Sequence, residues 1–336
     1  MTIRHRGTIR GTGYVAVVAV VMLVCALGAR SQPYLATVIA TFAVYAIVAT
    51  GLDFVVGWLR QISVAPAAAM AVGAYAGQEL VADHAFLAFV AAGGAGLLAG
   101  LVIGLPALRV SGFALAVYTL VLVLAVELVL GSVPYFGGTA GRAVVAGSLL
   151  GLDLADPEHL LLICLGLLAL AILTYQLLRG SVVGISWRAV GQNARMATSL
   201  AVDPVRVRLR AFALSGLFAG VGGLLFAIVG GYLSPDQFTF GLSVQMLAMV
   251  VIGGRGHPLG ASVGAALIVV YQQVLPTTNY NDIVIGLVLL LAAWFAPRGL
   301  APVLQDVVLR GLRAMSAIAG RRRGADHVDL AGGGSR

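Results

Sequence analysis

The sequence predicts an all-α polytopic membrane protein of about ten transmembrane helices, and three observations predict it. Hydrophobic residues make up 60% of the 336 and charged residues only 10%, against about 25% charged in ordinary soluble chains. Mean hydropathy is +1.01. The apolar residues gather in runs near the roughly 20 that a helix needs to cross hydrocarbon while satisfying its own backbone hydrogen bonds. The basic residues, all arginine, collect in the connections between those runs.

Taken in order, the runs are 14–29, 34–56, 64–82, 85–105, 113–130, 160–178, 211–232, 238–252, 259–275 and 283–296. Residues 1–13 form an N-terminal tail, 14–300 a transmembrane domain carrying a long basic loop at 179–210, and 301–336 a basic C-terminal tail. Arginine-rich short loops stay in the cytoplasm. With both termini inside, ten spans put every arginine except Arg30 and Arg142 on the cytoplasmic side. The outer loops then collect Asp83, Asp153, Asp156, Glu158, Asp236 and Asp282. A miscounted span would reverse every later loop, so this partition favours ten over eight or nine.

Two runs fit a second pattern. The first follows Arg4, Arg6 and Arg10 and ends in Ala26, Leu27 and Gly28, which also matches a cleavable signal sequence. The eighth is short and contains Ser243 and Gln245, which fits either a tilted or broken helix beside a transport path or a short helix shielded by its neighbours. Among the 44 glycines, those at 96, 100 and 104, at 216 and 220, and at 260 and 264 recur every fourth residue. That spacing predicts smooth helix faces and close packing.

The chain excludes several chemistries. It contains no lysine, so it has no phosphate loop of the G-x-x-x-x-G-K-[ST] type and must draw any ATP hydrolysis from another polypeptide. Cys25 and Cys164 stand singly in apolar runs and the five histidines are scattered, which argues against metal or thiol catalysis. The sequence pI near 10.0 follows from topology and does not call for nucleic acid. Arg310, Arg313 and Arg321 to Arg323 suit anionic headgroups, at about 1 kcal/mol per basic residue near the surface. Within the spans the ionisable residues are Asp53, Glu79 and Glu127, functional candidates because burial in lipid is costly. Asp53 and Glu79 stand near span ends, where water is in reach; Glu127 lies deeper and suits either a pathway contact or a polar group satisfied inside the bundle.

The long loop holds a helix-forming stretch at 187–200. At helical spacing Ile185, Ala189, Met196 and Leu200 make a partial apolar face, with Trp187 as an anchor and Arg188 and Arg195 beside it. Asp203 and Pro204 then end the helix. On the residues alone, two readings stand: a lever docked on a cytoplasmic partner, and an amphipathic helix lying on the lipid surface.

Six segments, spread over most of the chain, carry a resemblance. They are GLDFVVGWLRQISVAPAAAMAVGAYA at 51–76, PALRVSGFALAVYTL at 106–120, GGTAG at 137–141, AFALSGLFAGVGGLLFA at 211–227, SPDQFTFGLSVQMLAMVVIGGRGHPLGASVGAAL at 234–267 and FAPRGL at 295–300. In order and spacing they resemble the M-type permeases of ABC importers for branched-chain and related hydrophobic amino acids. Where that family usually has Asn, Gly, and Gly with His, this chain has Asp53, Arg60, and Ala65 with Pro66. Arg255 and His257 replace an aliphatic and a Ser or Thr, and Gln192 and Asn193 stand where acidic residues are common.

The resemblance implies a non-enzymatic permease in the bacterial inner membrane. It implies an H-type permease as partner, or a second copy of this chain, with two ATPase subunits that bind ATP and Mg and an extracytoplasmic binding protein. Trp187, Arg188, Arg195, Met196, Leu200 and Asp203 would couple to the ATPase, and Ser63, Pro66, Thr119, Glu127 and Gln245 would line the pathway. Urea, short amides or aromatic acids on the same scaffold are the alternative cargo. An ion-coupled carrier is the other class, with only Asp53, Glu79 and Glu127 to serve it.

Overall fold

The computed structural model describes residues 32–110, 112–133, 138–149, 151–274 and 299–301. The runs at 14–29 and 283–296, the N-terminal tail and nearly all of the C-terminal tail lie outside the described residues.

Helix α1 (Pro33–Asp53) begins with proline at its first position, where the missing N–H costs nothing because no carbonyl precedes it in the helix. It passes directly into a π-helical turn, Phe54–Trp58. The chain then runs without helix to Pro66, which starts α2 (Pro66–Gly77). The expected continuous span over 64–82 is therefore replaced by a helix of 12 residues, which rises about 18 Å against hydrocarbon about 30 Å thick. Pro66, which lacks the N–H that would join α2 to a preceding turn, fixes the start, but most of the loss is at the far end, where the chain leaves the helix after Gly77 and turns through 78–83.

Next come α3 (Ala85–Gly104), a 3₁₀ turn at Pro106–Leu108, and α4 (Phe113–Ser132). Helix α5 (Pro157–Gly180) is capped by Asp156, whose carboxylate accepts the Glu158 N–H. Helices α6 (Val182–Gln192) and α7 (Ala194–Ser199) follow, then α8 (Pro204–Gly230), α9 (Phe240–Gly253) and α10 (Gly260–Val274). Among the described residues six helices are long and apolar enough to cross a membrane: Pro33–Trp58, Ala85–Gly104, Phe113–Ser132, Pro157–Gly180, Pro204–Gly230 and Pro235–Gly253. The last includes a 3₁₀ turn ahead of α9, and α9 itself is unbroken.

Helix α8 is the axis of the bundle, packed against α1, α2 and α3. The glycine stripes set its distance from α3, because a Cβ on Gly96 would strike the Gly216 carbonyl and one on Gly216 would strike that of Gly96. Large apolar side chains also cover the outside: Phe113 is 83% exposed and Leu128 74%. Apolar residues both inside and outside are what a lipid-facing helix bundle requires.

The connections fall into two clusters. One is built on β1 (Arg142–Ala143) paired antiparallel with β4 (Tyr232–Leu233), beside the hairpin of β2 (Ser148–Leu149) and β3 (Leu152–Asp153). Arg142 there pairs with Glu79 at 3.1 Å, near the acidic residues Asp83, Asp153, Asp156, Glu158 and Asp236. The other cluster contains residues 59–65, 105–110, 181–203 and 254–259, with Arg60, Arg109, Arg188, Arg195 and Arg255. Among the described connections the arginines other than Arg142 thus gather in the second cluster, and the acidic residues other than Asp203 in the first.

Candidate functional site

At the arginine-rich end, Ser181 opens α6 by accepting the Gly184 N–H on its hydroxyl. The helix buries Gly184, Trp187 and Val190 on one side. Trp187 is 3% exposed, and its ring meets Phe54 at 5.8 Å and Trp58 at 6.0 Å between centroids. The tryptophan expected to dock on a partner is instead the root of α6 in the bundle. Arg188 braces the same joint. It donates to the carbonyls of Arg179 at 2.9 Å and Gly184 at 3.2 Å, and its guanidinium stands 5.6 Å from the Trp58 ring centre, which satisfies an orphan carbonyl at the end of α5 and adds a cation–π contact.

The expected single helix over 187–200 is two. Asn193 has an extended backbone, φ −156 and ψ 103, and its side-chain oxygen accepts the N–H groups of Arg195 and Met196, both at 3.1 Å. That cap ends one helix and starts the next. Asp203 and Pro204 likewise begin a helix: Asp203 accepts the Val205 N–H at 2.9 Å and pairs with Arg206 at 3.2 Å. Arg195 is exposed. Away from the bundle the two short helices present Val182, Ile185, Met196 and Leu200, which are 81%, 57%, 68% and 71% exposed.

The predicted pathway residues meet only in part. Val64 donates its N–H to Thr119 Oγ1 at 3.1 Å, and Thr119 in turn donates to the Ala116 carbonyl at 2.9 Å. Ala67 N–H is taken by Ser243 Oγ at 3.2 Å. The start of α2 is therefore held between α4 and α9, with Ser63 and Pro66 buried beside a cavity of about 20 Å³. Gln245 is buried on α9, its side-chain nitrogen without a partner among the described residues. Glu127 stays apart, half-buried toward the acidic end of α4.

Sequence reasoning placed Asp53 within reach of water, and the structure buries it at 1% exposure. Its carboxylate accepts the Gly256 N–H at 2.9 and 3.0 Å and the Tyr175 hydroxyl at 2.5 Å. Tyr175 in turn accepts the indole N–H of Trp58 at 2.6 Å. The available signals were an acidic residue in an apolar run and the Gly254, Arg255, Gly256 sequence; neither names the other. Among the described residues no three His, Cys, Asp or Glu are grouped to hold a metal.

Fold and site together define a helical, multi-pass membrane protein whose apolar exterior is interrupted at its basic end by a braced, partner-sized pair of short helices. Residues 34–293 match the family described as branched-chain amino acid transport system / permease component, and the chain belongs to that family. It is similar to the high-affinity branched-chain amino acid transport system permease protein LivM of Salmonella typhimurium, 30% identical over 289 residues, spanning 77% of this chain and 68% of that one. The LivM of Escherichia coli K12 gives the same identity and coverage. The autoinducer 2 import system permease protein LsrC of Klebsiella pneumoniae is 35% identical over 150 residues, 41% of this chain and 43% of that one. No solved structure gives a significant match. These relatives are transport permeases, not enzymes.

Proposed function

We propose that this permease is the M-type subunit of an ABC importer that carries branched-chain or related hydrophobic amino acids into a bacterial cell across the inner membrane. The carrying observation is the exposure of four apolar side chains, Val182, Ile185, Met196 and Leu200, on and just beyond short helices rooted by Trp187 and Arg188. A helix resting on lipid needs one apolar face, turned toward the membrane. Helix α6 has two: Trp187 and Val190 seat it on the bundle, while Val182 and Ile185 on the far side await a partner. Fully burying side chains of this size is worth about 1.5–3 kcal/mol each.

The arginine-rich end is cytoplasmic in this reading, by the positive-inside rule, with both termini inside and ten spans once 14–29 and 283–296 are counted. Two ATPase subunits bind ATP and Mg and dock on α6 and α7. Their closure tips those helices, which are rigid enough to pass the motion to the spans. An H-type permease completes the pathway, which runs past Ser63, Pro66, Thr119 and Gln245, and an extracytoplasmic binding protein delivers the cargo. Likeness to a permease named for autoinducer 2 import supports a cargo other than an amino acid on a similar scaffold; urea, short amides or aromatic acids remain the alternative cargo.

The test is uptake by vesicles containing the whole complex. Import should require ATP and the ATPase subunits; uptake that continues without them and collapses with an ion gradient overturns the proposal. Mass spectrometry of the ligand retained by the cognate binding protein decides between the cargoes.

A further inference from the structure

Asp53 lies outside both the docking row and the predicted pathway, yet four parts of the bundle converge on it. It stands at the last position of α1, where the backbone widens into the π turn Phe54–Trp58; such turns recur at functional sites. Its hydrogen-bond chain has a forced direction. An indole N–H can only donate, so Trp58 obliges Tyr175 to accept, and the tyrosine proton goes to the carboxylate. The second donor is the backbone of Gly256, in the loop between α9 and α10. Gly57 is required for this approach, because a Cβ there would collide with both the Asp53 carboxylate and the Gly256 amide. Gly256 itself has φ +73, in the left-handed region where glycine is favoured.

The same node touches α6. Trp58 packs on Trp187, and Phe54 packs on both Trp187 and Tyr175. Beyond Gly256, Gly254 lies against Gly299. Any tilt of α6 therefore carries α1, α5 and the α9–α10 loop with it, or breaks buried hydrogen bonds to a charged group.

We infer that Asp53 is a positioning residue of the transport cycle, the buried tie by which movement of α6 reaches α1, α5 and the α9–α10 loop. The inference rests on the importer reading. The experiment measures solute molecules imported per ATP hydrolysed, in vesicles holding the complete complex. Tyr175→Phe removes one oxygen and keeps the ring stack on Phe54; Gly57→Ala wedges a methyl group into the tie; Asp53→Asn keeps an acceptor for the Gly256 N–H. In complexes that remain assembled, Tyr175→Phe and Gly57→Ala should lower the ratio about tenfold, alongside the fall in melting temperature expected from an unpaired Trp58 N–H or a wedged methyl group, and Asp53→Asn should stay within roughly threefold of wild type, in keeping with losing one or part of one charge-assisted hydrogen bond. If Gly57→Ala does not assemble, Tyr175→Phe decides. A wild-type ratio in Tyr175→Phe, or a lowered melting temperature with the ratio kept, overturns the inference and leaves the importer reading standing. A wild-type complex that imports without ATP overturns both.

Discussion

Trp187 and Trp58 meet edge to face, their ring centroids 6.0 Å apart and their planes inclined by 65°. The contact separates two roles that the sequence merges. Trp187→Ala should act on the fold, removing a side chain of 3% exposure at a cost of about 3–5 kcal/mol, seen as a lower melting temperature in detergent. Replacing Met196 and Leu200 by Asp should change stability by no more than about 0.5 kcal/mol, as exposed substitutions do, while ATPase subunits no longer co-purify. Equal destabilisation by both changes would refute the division.

The start of α2 gives a second test. Thr119→Val keeps the shape of the side chain and leaves the Val64 N–H without its acceptor; Ser243→Ala does the same to Ala67. Each should cost about 1–3 kcal/mol, the penalty for a buried unsatisfied donor. Thr119→Ser, which keeps the hydroxyl, should lie close to wild type. Hydrogen exchange at the Val64 and Ala67 amides reads the effect locally.

Much of this architecture was legible because lipid leaves the chain few choices. Runs of apolar residues must be helices there, and the four-residue glycine spacing correctly marked where α3 and α8 approach. The start at Pro66 was legible in principle, since proline cannot continue a helix from behind, whereas the early end at Gly77 was hidden because apolar character alone does not say where a helix stops. The division at Asn193 depends on a side chain capping the next helix, an alternative that composition and periodicity do not rank. The Asp53 tie was out of reach for another reason: it joins residues 122 and 203 positions apart, and the donor at the far end is a backbone amide with no residue signature.

The glycine packing makes a paired prediction. Gly216→Ala places a methyl group against the backbone of Gly96 and Gly100, where no side chain can move aside. A destabilisation of about 1–3 kcal/mol is expected from overpacking, with poor accumulation in membranes. Gly94→Ala meets nothing within 4 Å and should be neutral or stabilising by up to about 1 kcal/mol through helix propensity. Fluorescence-detected size exclusion of tagged variants across temperature compares the two directly.

Orientation can be settled with two cysteines separated by one span. Val145 and Met196 are each 68% exposed, and α5 is the one long helix between them. With Cys25 and Cys164 replaced by Ser, Val145→Cys should react with a membrane-impermeant maleimide on intact cells. Met196→Cys should react only after the membrane is opened. The opposite pattern would put the arginine-rich end outside, against the positive-inside rule, and would remove the docking row from reach of any ATPase. Labelling of both from one side would mean that α5 does not cross, although its 24 residues have a mean hydropathy of 2.4 in their most apolar stretch and rise about 36 Å, more than the thickness of the hydrocarbon.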